Sequence, residues 1–168
     1  GYAILYRAHY ALIRNPLITS YGFHTSALFG FSNHIIKLIN DENPDYLVCA
    51  FDSKEKTFRH KMYSSYKANR PEMPLELQQQ IPHLWEVLEA MNIPVLRKPG
   101  FEADDIIGTI TNSVSDSQIE SYIVSGDKDF MQLINDKVFL YAPGKRNYPP
   151  VIYDRQGVIK KWGLPPEK

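Results

Sequence analysis

The stretch YLVCAFD at residues 46–52 decides the fold. Six apolar or aromatic residues run without interruption and end on an acid, Asp52. A continuous apolar run of this length is what a strand buried on both faces of a parallel sheet requires. The pattern returns at residues 121–129, where Tyr122-Ile123-Val124 leads into Ser125-Gly126-Asp127-Lys128-Asp129. Between them, Phe101-Glu102-Ala103-Asp104-Asp105 opens onto a helical pattern. Ligands bind outside the carboxyl ends of parallel strands, so acids at such junctions are placed to meet. Two carboxylates about 4 Å apart repel by about 4 kcal/mol at an effective dielectric near 20. A cluster of Asp52, Glu102, Asp104, Asp105, Asp127 and Asp129 therefore calls for neutralising cations, and hard divalent ions suit carboxylate oxygens. The expectation is a metal site with metal-assisted chemistry.

Outward from that strand, the chain alternates between helical and strand periodicities. Residues 2–13 and 25–41 read as helices, the second with a broad apolar face and a stop at Asn43-Pro44. Residues 75–91 return to helical spacing, with a kink expected at Pro82. Short strands are expected at 94–97, 121–125, 137–141 and 151–153. Helices are expected at 102–115, 127–134 and 154–162, and a loop at 143–146. This order implies βαβ units and a mainly parallel sheet, an α/β fold.

The chain has 168 residues, enough for one α/β domain with a full core, and 43% of them are hydrophobic. No apolar run approaches the roughly 20 residues of a membrane span, so no membrane partner is expected. The single cysteine, Cys49, excludes an internal disulfide framework and reads as a small core residue. An intracellular location is compatible with that. The chain opens on Gly1 rather than Met and runs straight into an apolar pattern, so its N-terminus reads as cut.

Nineteen basic and nineteen acidic residues cancel, but they are not mixed evenly. Residues 54–70 hold six cations (Lys54, Lys56, Arg59, Lys61, Lys67, Arg70) against Glu55 alone, with Phe58, Tyr63 and Tyr66 interleaved. Residues 101–136 hold eight acids against Lys128 alone. A basic patch beside an acidic pocket suits an anionic substrate that reacts at a metal. The basic stretch does not fit the core pattern and reads as an exposed, partly helical excursion that starts just after Asp52. Its cations would attract a phosphate backbone and its aromatics would stack on bases. Tyr66, Lys67 and Arg70 are the foremost contacts, and Lys67 can also neutralise charge on a reacting phosphate.

Each acidic motif alone has an ordinary explanation. Acids favour helix N-termini, Asp caps helices and turns, and Asp52 could simply end a strand. Three such sites at three junctions are hard to attribute to capping. The histidines (His9, His24, His34, His60, His83) show no mutual metal-ligand spacing and read as solvent-facing or satisfied. No Gly-rich phosphate loop is present.

FDSKEKTFRH, YKANRPEMP, GFEADDIIGT and SGDKDFMQL, taken together and in this order, resemble the 5'-3' exonuclease domain of bacterial DNA polymerase I, a member of the flap-endonuclease-like 5' nucleases. The resemblance covers essentially the whole chain. It implies a three-layer α/β/α, PIN-like core with a mainly parallel central sheet over residues 1–168. It makes residues 53–74 the helical arch through which a single-stranded 5' end passes. It implies two Mg2+ ions, replaceable by Mn2+, held by Asp52, Glu102, Asp104, Asp105, Asp127 and Asp129. It gives Asp52, Asp105 and Lys67 catalytic roles, and it makes Arg7, Lys54, Arg59, Tyr66, Lys67 and Arg70 DNA contacts. The expected activity is hydrolysis of DNA phosphodiesters at 5' flaps, nicks and single-stranded 5' ends, in replication and repair. The expected setting is the bacterial cytoplasm and nucleoid, with a polymerase domain as a possible continuation of the chain. In the family a first strand ending in Asp precedes the position of Gly1, so the first strand reads as truncated. A helix–three-turn–helix region follows the position of Lys168.

Three other readings compete, one of them a PIN-type ribonuclease, against which the YKANRP segment favours the flap family. A haloacid-dehalogenase-type phosphatase also carries acids at strand ends but needs an Asp-x-Asp motif, which Phe51-Asp52-Ser53-Lys54 lacks. A non-catalytic nucleic-acid-binding module would keep the 54–70 patch without needing all six acids.

Overall fold

In a computed structural model of the chain, which describes residues 1–114, 118–144 and 148–168, the apolar run at 46–51 forms a shorter strand than expected. Strand β1 (Cys49–Ala50) pairs in parallel with β2 (Val95–Leu96), in the register Cys49 to Val95 and Ala50 to Leu96. Cys49, Ala50 and Phe51 are buried, whereas Tyr46 and Val48 are exposed. The partner explains the shortening. Pro94 accepts a bond from Cys49 N–H at 2.9 Å but has no N–H of its own to return, so the ladder cannot extend back past Cys49.

The chain divides into two units, residues 1–103 and 104–168. In the first, α1 (Tyr2–Ala11) lies against α2 (Ser26–Glu42). Gly30 permits that approach: a Cβ there would stand 2.7 Å from the Ala8 methyl. Helix α2 ends on Asn43 in the left-handed conformation, followed by Pro44, as its sequence predicts. Leu5, Phe31, Ile35, Phe51, Leu84 and Leu88 form the core. Phe51 meets Trp85 edge-on at 4.7 Å.

Residues 75–91 are two helices rather than one kinked helix. Helix α4 (Leu75–Gln78) stops, and α5 (Ile81–Ala90) begins with Pro82 in its first turn. A first-turn residue has no intrahelical use for its N–H, so proline starts a helix there without bending it. The buried Gln80 fills the break. Its Nε2 donates to Glu76 O at 2.7 Å, and its Oε1 accepts from Leu28 N–H at 3.0 Å, which ties the break to the first turn of α2. Helix α3 (Phe58–Met62) is the helical part of the excursion.

Helix α6 (Ala103–Ser113) opens at the boundary between the units. The expected final residue of that helix, 115, lies outside the described residues. In the second unit, β3 (Ser121–Val124) pairs in parallel with β4 (Val138–Ala142), and β5 (Val151–Tyr153) pairs antiparallel with β4. The segment between β3 and β4 contains a 3-10 helix (Lys128–Leu133) where an α-helix could have been read. Helix α7 (Arg155–Trp162) is capped by Asp154, whose Oδ1 accepts from Gly157 N–H at 2.7 Å. Ile123, Phe130, Met131, Val138, Leu140 and Val158 form this unit's own core. Lys145 and Arg146 of the expected 143–146 loop lie outside the described residues. The described ladders form two sheets, β1–β2 and β3–β4–β5, with parallel pairing in each and one antiparallel edge. No described helix is long and apolar enough to cross a membrane.

Candidate functional site

Glu102 is the one buried Asp or Glu among the described residues, at 6% exposure. A buried carboxylate needs partners for both oxygens, and the basic excursion supplies them. Oε1 accepts from Lys67 Nζ at 2.6 Å, Oε2 accepts from the Tyr66 hydroxyl at 3.0 Å, and Arg59 Nη1 lies 3.6 Å from Oε2. Burial by itself raises the Glu102 carboxyl. The hydrogen bonds from Lys67 and Tyr66, with the charges of Lys67 and Arg59, outweigh it and hold the group below the usual carboxylate range.

Local chemistry sets these donors in place. Thr57 caps α3 in a reciprocal box with His60: Thr57 N–H donates to His60 Nδ1 at 3.1 Å, and the Thr57 hydroxyl lies 2.9 Å from the same nitrogen. The accepting role of Nδ1 leaves the ring proton on Nε2. The His60 ring meets the Tyr66 ring edge-on, with centroids 5.3 Å apart. Phe58 N–H donates to Gly100 O at 3.2 Å, which docks the start of α3 beside the segment leading to Glu102. Lys67 adopts φ +58°, a left-handed conformation uncommon for a residue with a Cβ. Sequence reading classed His60 among solvent-facing or satisfied histidines, and it is satisfied. Its place behind Tyr66 went unread, although Thr57 and His60 stand at the N-cap to N3 spacing of a capping box.

Asp52 joins the same neighbourhood. Its Oδ1 accepts from Ala103 N–H at 2.7 Å, so the acid after β1 is tied to the residue that follows Glu102. Asp104 and Asp105 stand in the first turn of α6. Asp127 caps the 3-10 helix, with Oδ1 accepting from Asp129 N–H at 2.9 Å, and its own N–H donates to Ser125 Oγ at 3.1 Å. Both Asp127 and Asp129 are exposed. Thus Asp52 and Glu102 belong to the first unit, and Asp104, Asp105, Asp127 and Asp129 to the second. Within each unit, among the described residues, no three His, Cys, Asp or Glu side chains form a group able to hold an ion.

The remaining predicted contacts lie in the first unit. Lys54 and Arg70 are exposed on the excursion. Burial raises the Tyr6 phenol, Tyr10 adds to the effect, and the Arg70 charge opposes it. Arg7 is exposed on α1, and its charge adds to burial in lowering His34.

Residues 1–163 match the family model of the 5'-3' exonuclease N-terminal resolvase-like domain. The chain belongs to this family. Among its 5'-3' exonuclease relatives is a protein of that name from Aquifex aeolicus, 40% identical over 168 residues, covering all of this chain and 56% of the relative. A DNA polymerase I from Caldicellulosiruptor bescii is 39% identical over 166 residues, covering 98% of this chain and 19% of the polymerase. The chain therefore spans about half of one relative and a fifth of the other. The bacteriophage T5 D15 flap endonuclease, solved as a pseudo-enzyme-product complex with DNA and metal ions, shares the fold at a TM-score of 0.62. Its sequence is 19% identical, over 80% of this chain and 52% of that one. That likeness bears out the mixed α/β fold with parallel strand pairing.

Proposed function

We propose that this exonuclease-family chain is the core of a divalent-metal-dependent, structure-specific 5'-3' exonuclease and flap endonuclease acting on DNA. The observation that carries the reading is the Glu102 site. The basic, aromatic excursion of residues 53–74 converges with Lys67, Tyr66 and Arg59 on a buried acid whose chain neighbour is held by Asp52. DNA with 5' flaps, nicks or single-stranded 5' ends is the proposed substrate, and a polymerase domain is a proposed partner within a longer chain. The T5 flap endonuclease complexed with DNA and metal ions, and the match to a DNA polymerase I, support both.

The donor chemistry fits a hard divalent ion. Every proposed ligand is a carboxylate: Asp52, Glu102, Asp104, Asp105, Asp127 and Asp129. The environment of Glu102 already favours positive charge, since two cationic side chains and a hydroxyl surround it. Two Mg2+ ions, or Mn2+ in their place, would supply an activated water and stabilise the leaving oxygen. The chain's own residues do the rest. Lys54, Arg59, Lys67 and Arg70 hold the phosphate backbone, Lys67 neutralises charge at the reacting phosphate, Tyr66 stacks on a base, and Arg7 adds a backbone contact from α1.

The test is cleavage of a labelled 5'-flap DNA by the full-length protein with Mg2+. Asp127→Ala should lower the rate by about 100-fold or more, with circular dichroism and melting unchanged in kind. Cleavage at the wild-type rate would overturn the assignment.

A further inference from the structure

The excursion covers both oxygens of the acid that the proposed function gives to a metal. Lys67 Nζ lies 2.6 Å from Oε1, and the Tyr66 hydroxyl takes Oε2. Mg2+ sits about 2.0–2.1 Å from its oxygen ligands. An ion on Oε1 and an ammonium on the same oxygen would stand only about 3–4 Å apart with like charge. Each occupant weakens the other's hold on Glu102.

The two sides of this contact are unequally held. Asp52 Oδ1 accepts from Ala103 N–H at 2.7 Å, which fixes the backbone next to Glu102. Residues 63–70 instead form successive turns, with bonds from Tyr66 N–H to Tyr63 O, Ala68 N–H to Ser65 O and Arg70 N–H to Lys67 O. Tyr66 and Lys67 are the only members of that segment that are not exposed. Lys67 also holds a left-handed φ of +58°, a conformation that persists where the surroundings impose it. Thus the contact with Glu102 helps to pin this segment down, with Tyr63 N–H bonded back to Arg59 O at 2.8 Å and His60 at the back of Tyr66.

We propose that Lys67 stands in for a divalent cation on Glu102 in the metal-free protein, and that ion binding there releases Lys67, so that metal loading and delivery of the ammonium to substrate phosphate are one coupled event. The proposal rests on the reading of Glu102 as a metal acid. Coupling of this kind is reciprocal: if Lys67 opposes the ion, the ion opposes Lys67 equally.

Two measurements on the full-length protein test it. In the first, Mn2+ affinity is read by electron paramagnetic resonance for wild type, Lys67→Met, Glu102→Gln and the double variant. Lys67→Met should bind Mn2+ about tenfold more tightly, and that gain should vanish in the Glu102→Gln background. If Glu102→Gln weakens Mn2+ binding but Lys67→Met does not strengthen it, the latch is wrong and the metal reading stands. If Glu102→Gln leaves Mn2+ binding untouched, the metal reading of Glu102 is itself wrong, and the latch falls with it. The second needs no variant. Reductive methylation followed by mass spectrometry should modify Lys67 slowly in EDTA and several-fold faster with Mg2+, with exposed Lys37 as the internal reference. Equal Lys67 rates in both buffers would overturn the coupling.

Discussion

Glu102 is the residue on which the most chemistry turns, and its protonation has a definite sign. Burial pushes its carboxyl up, but Lys67, Tyr66 and Arg59 bring it below the unfolded value of about 4.3. Between the two values the unfolded chain binds the proton and the folded chain does not, so stability rises with pH across that window. The contribution is fully present above the unfolded value and is lost as pH drops through the lowered folded value. In EDTA, the gap in melting temperature between wild type and Glu102→Gln should therefore shrink as the solution is acidified below about pH 4.3. A gap that stays constant down to strongly acidic pH would contradict this account. The acid itself was legible, because Glu102-Ala103-Asp104-Asp105 stands out in any reading of the chain. Its partners were not. Lys67 and Glu102 are 35 positions apart, and no local periodicity reports on such a pair.

At the scale of elements, the break between α4 and α5 makes a sharp contrast between neighbouring residues. Pro82 lies in the first turn of α5, so Pro82→Ala should change stability by less than about 1 kcal/mol. Gln80→Leu removes the acceptor of Leu28 N–H, the cap that Thr25 does not provide for α2. Leaving that donor unpaired should cost about 1–3 kcal/mol. Urea unfolding of the two variants measures both, and equal effects would mean that the helix bends at Pro82 after all. Helices α1, α2 and α7 were readable to within a residue or two, because amphipathic spacing and Asn43, Asp154 and Gly163 mark their ends. Strand β1 was read too long, because YLVCAFD reveals its own apolarity but not that Pro94 closes the ladder across from it. The 75–91 segment was read as one helix, because the role of Gln80 depends on a backbone group 52 positions away.

At the scale of the whole molecule, charge is the useful variable. Net charge is zero, yet all six cations of residues 54–70 fall in the first unit, and Asp104, Asp105, Asp127 and Asp129 fall in the second. Affinity for single-stranded or flap DNA should then come from a local patch and be salt-dependent despite overall neutrality. With about five phosphates contacted, log affinity against log salt should have a slope of roughly −3.5 to −4.5. Arg70→Ala should make that slope shallower by just under one unit. A flat salt response, measured by fluorescence anisotropy in Ca2+ to prevent cleavage, would remove the patch from the binding reaction.

Sequence alone determined the alternation of helical and strand segments, the six acids, the basic excursion and the family, because periodicity, end signals and motif order are local properties of a chain. Tertiary structure decided which acid is buried, which cations hold it, and where β1 and α4 stop. Those outcomes depend on what lies opposite each residue after folding: Lys67 and Tyr66 across from Glu102, Pro94 across from Val48, and Leu28 across from Gln80. A buried polar group must find its partner wherever packing brings one, and packing joins residues that the sequence keeps far apart.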